Sequence, residues 1–429
     1  MNRFIKLFSI PELRKRVLVV AGLLGFYRVL AAIPLPEIDP SRLASFFDSN
    51  GFLSLLNLFS GGGLSSLSLV MLGVSPYITA SIIMQLSTVI FPQVKKMMYE
   101  QGAIGQAKFN RYTRFLTVPL AFVQGYGFLS ILSRQGIIDQ LPIDSLIINV
   151  LTVVAGSLIA MWIGELITEQ KLGNGISLII FAGIVAGLPQ TLLSAYQNYT
   201  PDILIAYAVV AVLIIFGIVF LTEGERRIPV TYARQVRGNK LLGGASSYLP
   251  LKVNQAGMIP LIFAISVLLF PQFIAQAVTL FSAEWGVTIN DWVNAALANQ
   301  WIYGSAYFIL VFAFTYFYTA VTFDPKEIAK NLQRNGGFVP GVRPGEGTQK
   351  MLAKILGRLT FWGAAGLAFL AVFPIIVQGI IGLISTGAAA ASNGIGLDGA
   401  ALLIVVGVAL ESMRQVDSQL SLREYENNS

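Results

Sequence analysis

The sequence predicts an all-α polytopic membrane protein in which ten transmembrane helices form two inverted halves of five helices each. Three observations predict this fold. Hydrophobic residues make up 55% of the 429 residues and charged residues 12%, against about 25% charged in ordinary globular proteins. Apolar runs long enough to cross the roughly 30 Å of bilayer hydrocarbon recur along the chain. Basic residues are distributed very unevenly among the segments that join these runs.

Ten apolar runs of about 20 residues have the length of a membrane span. They cover residues 17–36, 74–92, 114–133, 147–167, 176–194, 203–222, 257–276, 304–323, 356–378 and 397–416. The fifth run is short and the ninth is long, so nine or eleven spans are the alternatives. The first run has a basic flank but no small-residue cleavage pattern after it. We therefore interpret it as a retained helix and not as a cleaved signal peptide.

The charges of the connecting segments orient these spans. The segments on one side carry 26 of the 29 Lys and Arg residues, and those on the other carry only Arg42 and Arg134. Arg28 lies inside the first span and can snorkel to an interface. Basic residues concentrate in cytoplasmic loops, so both termini are predicted to be cytoplasmic. The halves 1–200 and 201–429 then enter the membrane from opposite sides, and a structural repeat between them would be inverted.

The composition argues against several classes of function. The chain has no Cys and no His, which removes disulfides, thiolate catalysis and the commonest general base. The spans contain few charges, and the sequence has no HExxH motif or phosphate-binding glycine loop. We therefore expect a protein that is not an enzyme and uses no metal or cofactor. An inverted-repeat secondary transporter and a lipid-modifying membrane enzyme are rival readings, but both need polar groups at membrane depth.

Residues 53–92 form an apolar stretch that is too long for one span. It is interrupted by Gly61-Gly62-Gly63 and by Pro76, and Gly loosens a helix whereas Pro breaks or kinks it. A short segment rich in Ser and Gly cannot cross the bilayer alone, but it can re-enter where protein buries its backbone. A surface amphipathic helix followed by a loop fits the pattern equally well.

Two cytoplasmic segments, 223–256 and 324–355, are basic and too long to be simple connections. Long connections are usually functional or disordered, and basic cytoplasmic loops often set topology or contact anionic membrane lipids. Gly and Pro residues punctuate 336–347 and predict shaped hairpins there. That pattern favours docking of a large anionic partner, such as RNA.

Several motifs follow one another along the chain. They are Asn57-Leu-Phe-Ser-Gly-Gly, Leu72-Gly-Val-Ser-Pro-Tyr-Ile-Thr-Ala-Ser-Ile-Ile-Met-Gln-Leu86, Gly173-Asn-Gly-Ile-Ser177, Leu249-Pro-Leu-Lys-Val-Asn254, Asn331-Leu and Phe338-Val-Pro-Gly-Val-Arg-Pro-Gly-Glu346. In this order they resemble the bacterial SecY family, the channel subunit of the general secretory (Sec) translocon. The resemblance runs from Pro11 to about Tyr425. It implies a clamshell of two five-helix halves around an hourglass pore in the bacterial plasma membrane.

The resemblance implies a channel that moves unfolded, signal-bearing preproteins across the membrane and releases hydrophobic segments sideways into lipid. An accessory paralogue with restricted substrates is the alternative. The implied constriction ring consists of Val74, Ile78, Ile180, Ile262 and Ile404. The implied plug lies near 55–67 and includes Asn57, Phe59, Gly61, Gly62 and Leu64. The implied lateral gate includes Ser81, Gln85 and Thr88 on the second helix and Ser266 on the seventh. The implied docking residues are Arg234, Arg237, Lys240 and Arg343.

The partners implied by the resemblance are SecE, SecG, the SecA ATPase and the ribosome, with ribosomal RNA contacting the basic loops. Energy would come from SecA, from the translating ribosome or from the proton-motive force. Two positions depart from the family pattern. Val74 replaces an Ile often seen in the ring, and Asn239-Lys240 stands where relatives often have adjacent basic residues. A ring of apolar side chains suits such a channel because it closes around many peptides and resists ions by dewetting.

Overall fold

The structure is a computed structural model, and it describes residues 10–36, 57, 60, 62–64, 66–99, 101–134, 138, 142–198, 201–232, 235–237, 240–242, 246–384 and 399–428. Helices dominate the described chain. In the first half these are α1 (Pro11–Ala32), α2 (Ser75–Ile90), α3 (Pro92–Tyr99), α4 (Gly102–Arg134), α5 (Ile143–Glu169) and α6 (Gly175–Asn198). The axes of α2 and α3 differ by 113°, because Pro92 cannot donate the hydrogen bond that would continue α2.

The second half alternates long helices with two folded connections. Its helices are α7 (Pro201–Glu223), α8 (Ile259–Leu268), α9 (Phe270–Phe281), α10 (Ala283–Ala298), α11 (Gln300–Thr322), α12 (Pro325–Arg334), α13 (Glu346–Ile384) and α14 (Gly399–Asn428). Its strands are β1 (Glu225–Tyr232), β2 (Gln235–Arg237), β3 (Lys240–Leu242), β4 (Ser246–Lys252) and β5 (Gly337–Phe338). The first four strands lie between α7 and α8, and β5 lies between α12 and α13.

Each predicted span lies on one helix or on two consecutive helices. The seventh, 257–276, is divided between α8 and α9, which meet beside Pro271. By length and composition alone, five helices of the described chain can cross a membrane, or six if the bent pair α2–α3 forms one span. The protein is therefore a multi-pass helical membrane protein, while the count of ten spans stays a prediction.

The two predicted basic loops fold together. β1 pairs antiparallel with β4 in a register that runs from Glu225↔Lys252 to Thr231↔Ser246. The other edge of β1 pairs with β5 at Thr231↔Phe338. The resulting sheet has the strand order β4-β1-β5, and β2 and β3 form a separate hairpin. Strands in these loops add to the helical fold that the sequence predicts.

Two hydrophobic clusters hold the described chain together. The large cluster draws buried side chains from most of the long helices of both halves and from the segment 64–74. The small cluster lies beneath the sheet and contains Ile228, Val230, Leu251, Ala329, Val339, Leu352 and Leu356. Residues 225–252 and 324–356 therefore form one unit with its own core. We call this unit the cytoplasmic module because the charge pattern predicts that location.

Candidate functional site

The five residues of the predicted constriction ring are all buried and belong to the large hydrophobic cluster. Val74 precedes α2, Ile78 lies in the first turn of α2, and the other three come from α6, α8 and α14. Each is at most 5% exposed. Together with α5, the helices that carry them pack in a closed circuit: α2 with α8, α8 with α14, α14 with α6, α6 with α5, and α5 with α2. These five helices therefore form one continuous bundle.

Gly407 lets α8 and α14 approach each other closely within this circuit. A Cβ atom at Gly407 would overlap the side chain of Met258, which directly precedes α8. Helices can pack backbone to side chain in this way only where a small residue leaves room. The contact brings Met258, four residues before Ile262, against the helix that carries Ile404.

The described part of the predicted plug is hydrogen-bonded to the end of α1. Tyr27 is fully buried, and its hydroxyl donates to the Ser60 carbonyl at 2.5 Å. The Ser60 hydroxyl donates to the Asn57 carbonyl at 2.9 Å and accepts from the Leu64 N–H at 2.9 Å. Sequence reasoning missed Tyr27, because the pattern of one span does not reveal a contact with a residue 33 positions away.

Gly62 supplies a turn of the plug that other residues would strain. Its φ of +86° lies in the left-handed region that favours glycine. Arg28 lies alongside, with Nη1 3.0 Å from the place where a Cβ on Gly62 would stand. Two other predicted plug residues, Phe59 and Gly61, lie outside the described residues. The guanidinium of Arg28, the charged group inside the first predicted span, thus lies beside the plug segment.

The base of the plug segment is fixed on two sides. The Leu35 N–H donates to the Leu67 carbonyl at 2.8 Å, and the Leu69 N–H donates to the Ile33 carbonyl at 3.0 Å. On the other side α5 packs so closely that a Cβ at Gly156 would overlap the Leu69 carbonyl. These contacts hold residues 66–69 between the end of α1 and the middle of α5.

Two helix pairs form a seam between the halves: α2 packs on α8, and α4 packs on α9. Of the predicted gate residues, Ser81 and Gln85 are half-buried, whereas Thr88 and Ser266 are buried. The Thr88 hydroxyl donates to the Gln85 carbonyl at 2.7 Å, and the Ser266 hydroxyl donates to the Ile262 carbonyl at 2.8 Å. Both hydroxyls are thus satisfied within their own helices, as is common for such residues.

Gln124 of α4 is a polar residue at the seam that sequence reasoning missed. It is 1% exposed, and its side-chain amide has no hydrogen-bond partner among the described residues. It lines a small cavity together with Leu64 of the plug, Ser75 of α2 and Phe273 of α9. The signal that could have found it is a lone amide within the predicted span 114–133.

Arg343 stands on a braced turn of the cytoplasmic module. Its side chain is exposed, and its carbonyl accepts hydrogen bonds from the N–H and the hydroxyl of Thr348, both at 3.1 Å. Thr348 itself is buried. Gly345 has a φ of +87°, a conformation that favours glycine. The turn therefore presents the guanidinium to solvent from a fixed backbone, and sequence reasoning missed the part played by Thr348.

Two of the other predicted docking residues lie on the β2–β3 hairpin. Arg237 and Lys240 are register partners at its turn, and Arg234 lies outside the described residues. The module also presents further exposed basic residues, which are Arg226, Arg227, Lys326, Lys330, Arg334, Lys350 and Lys354. The described part of the module therefore has a basic surface, which is the kind of surface that favours anionic ligands.

A cluster of charges ties the base of the module to α14. Arg414 donates to the Thr222 carbonyl at 2.5 Å and to Glu223 Oε1 at 2.7 Å, at the end of α7. Burial lowers the pKa of the Lys252 ammonium at the end of β4, and the charge of Arg414 lowers it further. The strand that follows α7 is thereby fixed relative to the last helix.

The fold is that of a class of polytopic protein-conducting channels. One solved structure with this fold is described as "The structure of a protein conducting channel" and has a TM-score of 0.62 at 19% identity, over 93% of this chain and 90% of that chain. Another is "Sec61 in the Canine ribosome-channel complex from the endoplasmic reticulum", with a TM-score of 0.60 at 18% identity and the same coverage.

Sequence comparison then narrows the class to a family. The SecY family profile matches residues 68–413. The protein translocase subunit SecY of Corynebacterium glutamicum is 41% identical over 99% of both chains, and that of Mycobacterium bovis is 38% identical over the same shares. The chain belongs to the SecY family.

Proposed function

We propose that this chain is the channel that translocates unfolded, signal-bearing preproteins across the bacterial plasma membrane and inserts hydrophobic segments sideways into lipid. The burial of all five predicted ring residues, on or next to helices of one closed circuit, is the observation that carries this proposal. Such residues form a gasket that is chemically indifferent to the passing peptide and resists ions by dewetting. The chain itself acts as a conduit, with both termini cytoplasmic, and we assign it no reaction of its own.

The plug and the seam supply the two movements that a channel of this kind needs. The plug near 55–67 closes the pore, and its hydrogen bonds to the end of α1 favour the closed state. Opening separates the halves 1–200 and 201–429 along the seam, where α2 leaves α8 and α4 leaves α9. Ser81, Gln85, Thr88 and Ser266 lie on the α2–α8 part of this gate. Packing of both helix pairs across the seam supports the proposal.

The cytoplasmic module docks the source of energy, which is the SecA ATPase or the translating ribosome. Exposed basic residues on a module with its own core support this step, because a rigid basic surface binds ribosomal RNA or an acidic protein face. Arg343 is the central docking residue, and Arg234, Arg237 and Lys240 are further docking residues. SecE and SecG pack around the helices, and membrane lipids surround them.

The test is transport of a signal-bearing preprotein into vesicles that contain this chain and SecE, with SecA and ATP outside. We expect preprotein to become protected from protease in an ATP-dependent manner, and Arg343→Glu to abolish this protection. Lys108→Glu, a charge reversal at an exposed residue of α4 outside the module, is the matched control and should keep most of the activity. Absence of protection with folded chain, when the same SecA drives another channel, would contradict the proposal.

A further inference from the structure

All five tryptophans of the chain have exposed side chains. They are Trp162, Trp285, Trp292, Trp301 and Trp362, and each is at least 60% exposed. Tryptophan is enriched at the two membrane–water interfaces, where its ring is buried and its N–H stays hydrated. Trp162 and Trp362 lie toward the cytoplasmic ends of their predicted spans. The other three lie in the predicted outer segment 277–303, around α10.

The exposed surface of α10 has an aromatic stripe beside an acidic stripe. Trp285 and Trp292 are seven residues apart, which places them about 20° from each other around a helix. Glu284 and Asp291 have the same spacing and precede the tryptophans by one residue, a rotation of about 100°. All four side chains are exposed. The two stripes therefore run side by side along the length of α10.

A third stripe faces the protein. Gly286, Asn290, Val293 and Leu297 recur at helical spacing and are buried or half-buried. The Asn290 side chain accepts a hydrogen bond from Gln272 Nε2 of α9 at 3.4 Å, and Leu297 packs against the large hydrophobic cluster. α10 thus has three faces, of which one contacts the protein, one is aromatic and one is acidic. A helix that lies where protein, membrane and water meet presents one face to each of them.

We propose that α10 is an interfacial anchor that docks onto the outer leaflet of the membrane. Trp285 and Trp292 insert at the boundary between headgroups and acyl chains, and the acidic stripe stays in water. Residues 277–303 contain no Lys or Arg, so the attraction comes from aromatic burial and not from anionic lipid. The aromatic surface continues onto Trp301 and Ile302 at the start of α11, both exposed.

The position of α10 gives this anchor a mechanical role. α9 packs on α10 on one side and on α4 of the first half on the other. The anchor therefore holds α9, one of the seam helices, at a fixed depth in the membrane. This inference concerns lipid contact and does not depend on the proposed transport activity.

The experiment uses chains that keep Trp292 as the single tryptophan, with the other four replaced by Phe, in phosphatidylcholine vesicles. Lipids brominated near the headgroup end of the acyl chain should quench most of the emission. Lipids brominated near the chain terminus, and the water-soluble quencher acrylamide, should have little effect. The matched control is Asp291→Trp in a tryptophan-free chain, which should be quenched by acrylamide and not by either lipid.

Three outcomes would overturn the proposal. Quenching of Trp292 by acrylamide alone would place α10 in water. Resistance to every quencher would mean that protein covers the aromatic stripe, either a partner subunit or a second copy. Quenching that appears only when anionic lipid is added would show that electrostatic attraction, and not aromatic burial, brings α10 to the membrane. If the single-tryptophan chain does not fold, the natural chain is compared with Trp292→Phe. The difference in brominated-lipid quenching between the two then reports the position of Trp292.

Discussion

Tyr27→Phe tests how the plug is held, because it removes one hydroxyl and keeps the buried ring. The Ser60 carbonyl loses the hydrogen bond from Tyr27 at 2.5 Å but keeps one from the Gly63 N–H at 3.2 Å. The carbonyl is therefore not left unsatisfied, and the cost is that of one net hydrogen bond, about 0.5–1.5 kcal/mol. Since every 1.4 kcal/mol is tenfold, release of the plug becomes roughly 2- to 12-fold more favourable.

Ion flux through the idle channel measures this shift. In vesicles that contain the chain and no preprotein, the initial rate of ion leak should rise by about the same 2- to 12-fold. Tyr112→Phe removes a hydroxyl from an exposed tyrosine of α4 and should leave the leak unchanged. A Tyr27→Phe channel that leaks no more than the natural chain would refute the argument that this hydrogen bond helps to close the plug.

Three further changes test the plug base, the module and the ring. Gly156→Ala forces α5 away from the plug base and should destabilise the chain by about 1–3 kcal/mol, which thermal unfolding in detergent measures. Gly187→Ala is the control, because a Cβ at Gly187 meets nothing within 4 Å. Thr348→Val keeps one of the two hydrogen bonds to Arg343 and should weaken SecA binding by about 2- to 12-fold; unchanged affinity in a titration would show that the turn needs no brace. Ile404→Ser places a hydroxyl in the ring and should increase ion leak by wetting it; an unchanged leak would remove Ile404 from the gasket.

The sequence predicts the helical part of the fold well, because each apolar run must bury its backbone in a helix when it crosses lipid. Gly and Pro act locally and indicate the turns within 336–347, but the hairpins predicted there do not form, because the strand β5 pairs with β1. The sheet that joins β1 to β5 could not be predicted from such local patterns. β5 has two residues and no periodicity, so only tertiary contact with Thr231 and Tyr232 makes it a strand.

The candidate site likewise has residues that could be predicted from the sequence and residues that could not. The ring residues come from the resemblance to the SecY family, and the ring stays a prediction, although all five residues are buried. A single Ile in a membrane helix carries no such signal. Tyr27 and Gln124 were missed because a polar residue in a span faces lipid, water or protein depending on helix rotation, which hydropathy does not specify. α10 does carry a signal, since its glutamate–tryptophan and aspartate–tryptophan pairs repeat after seven residues.

The length of α13 has a mechanical consequence. This helix has 39 residues, about 58 Å at 1.5 Å per residue, nearly twice the hydrocarbon thickness of a bilayer. Its first turns contribute Leu352 and Leu356 to the module core, and the same helix packs against α7, α11 and α14. The helix is continuous from Glu346 to Ile384 and so joins the module directly to the second half of the bundle. In the proposed channel, a load that a docked motor applied to the module would pass along this helix into the bundle.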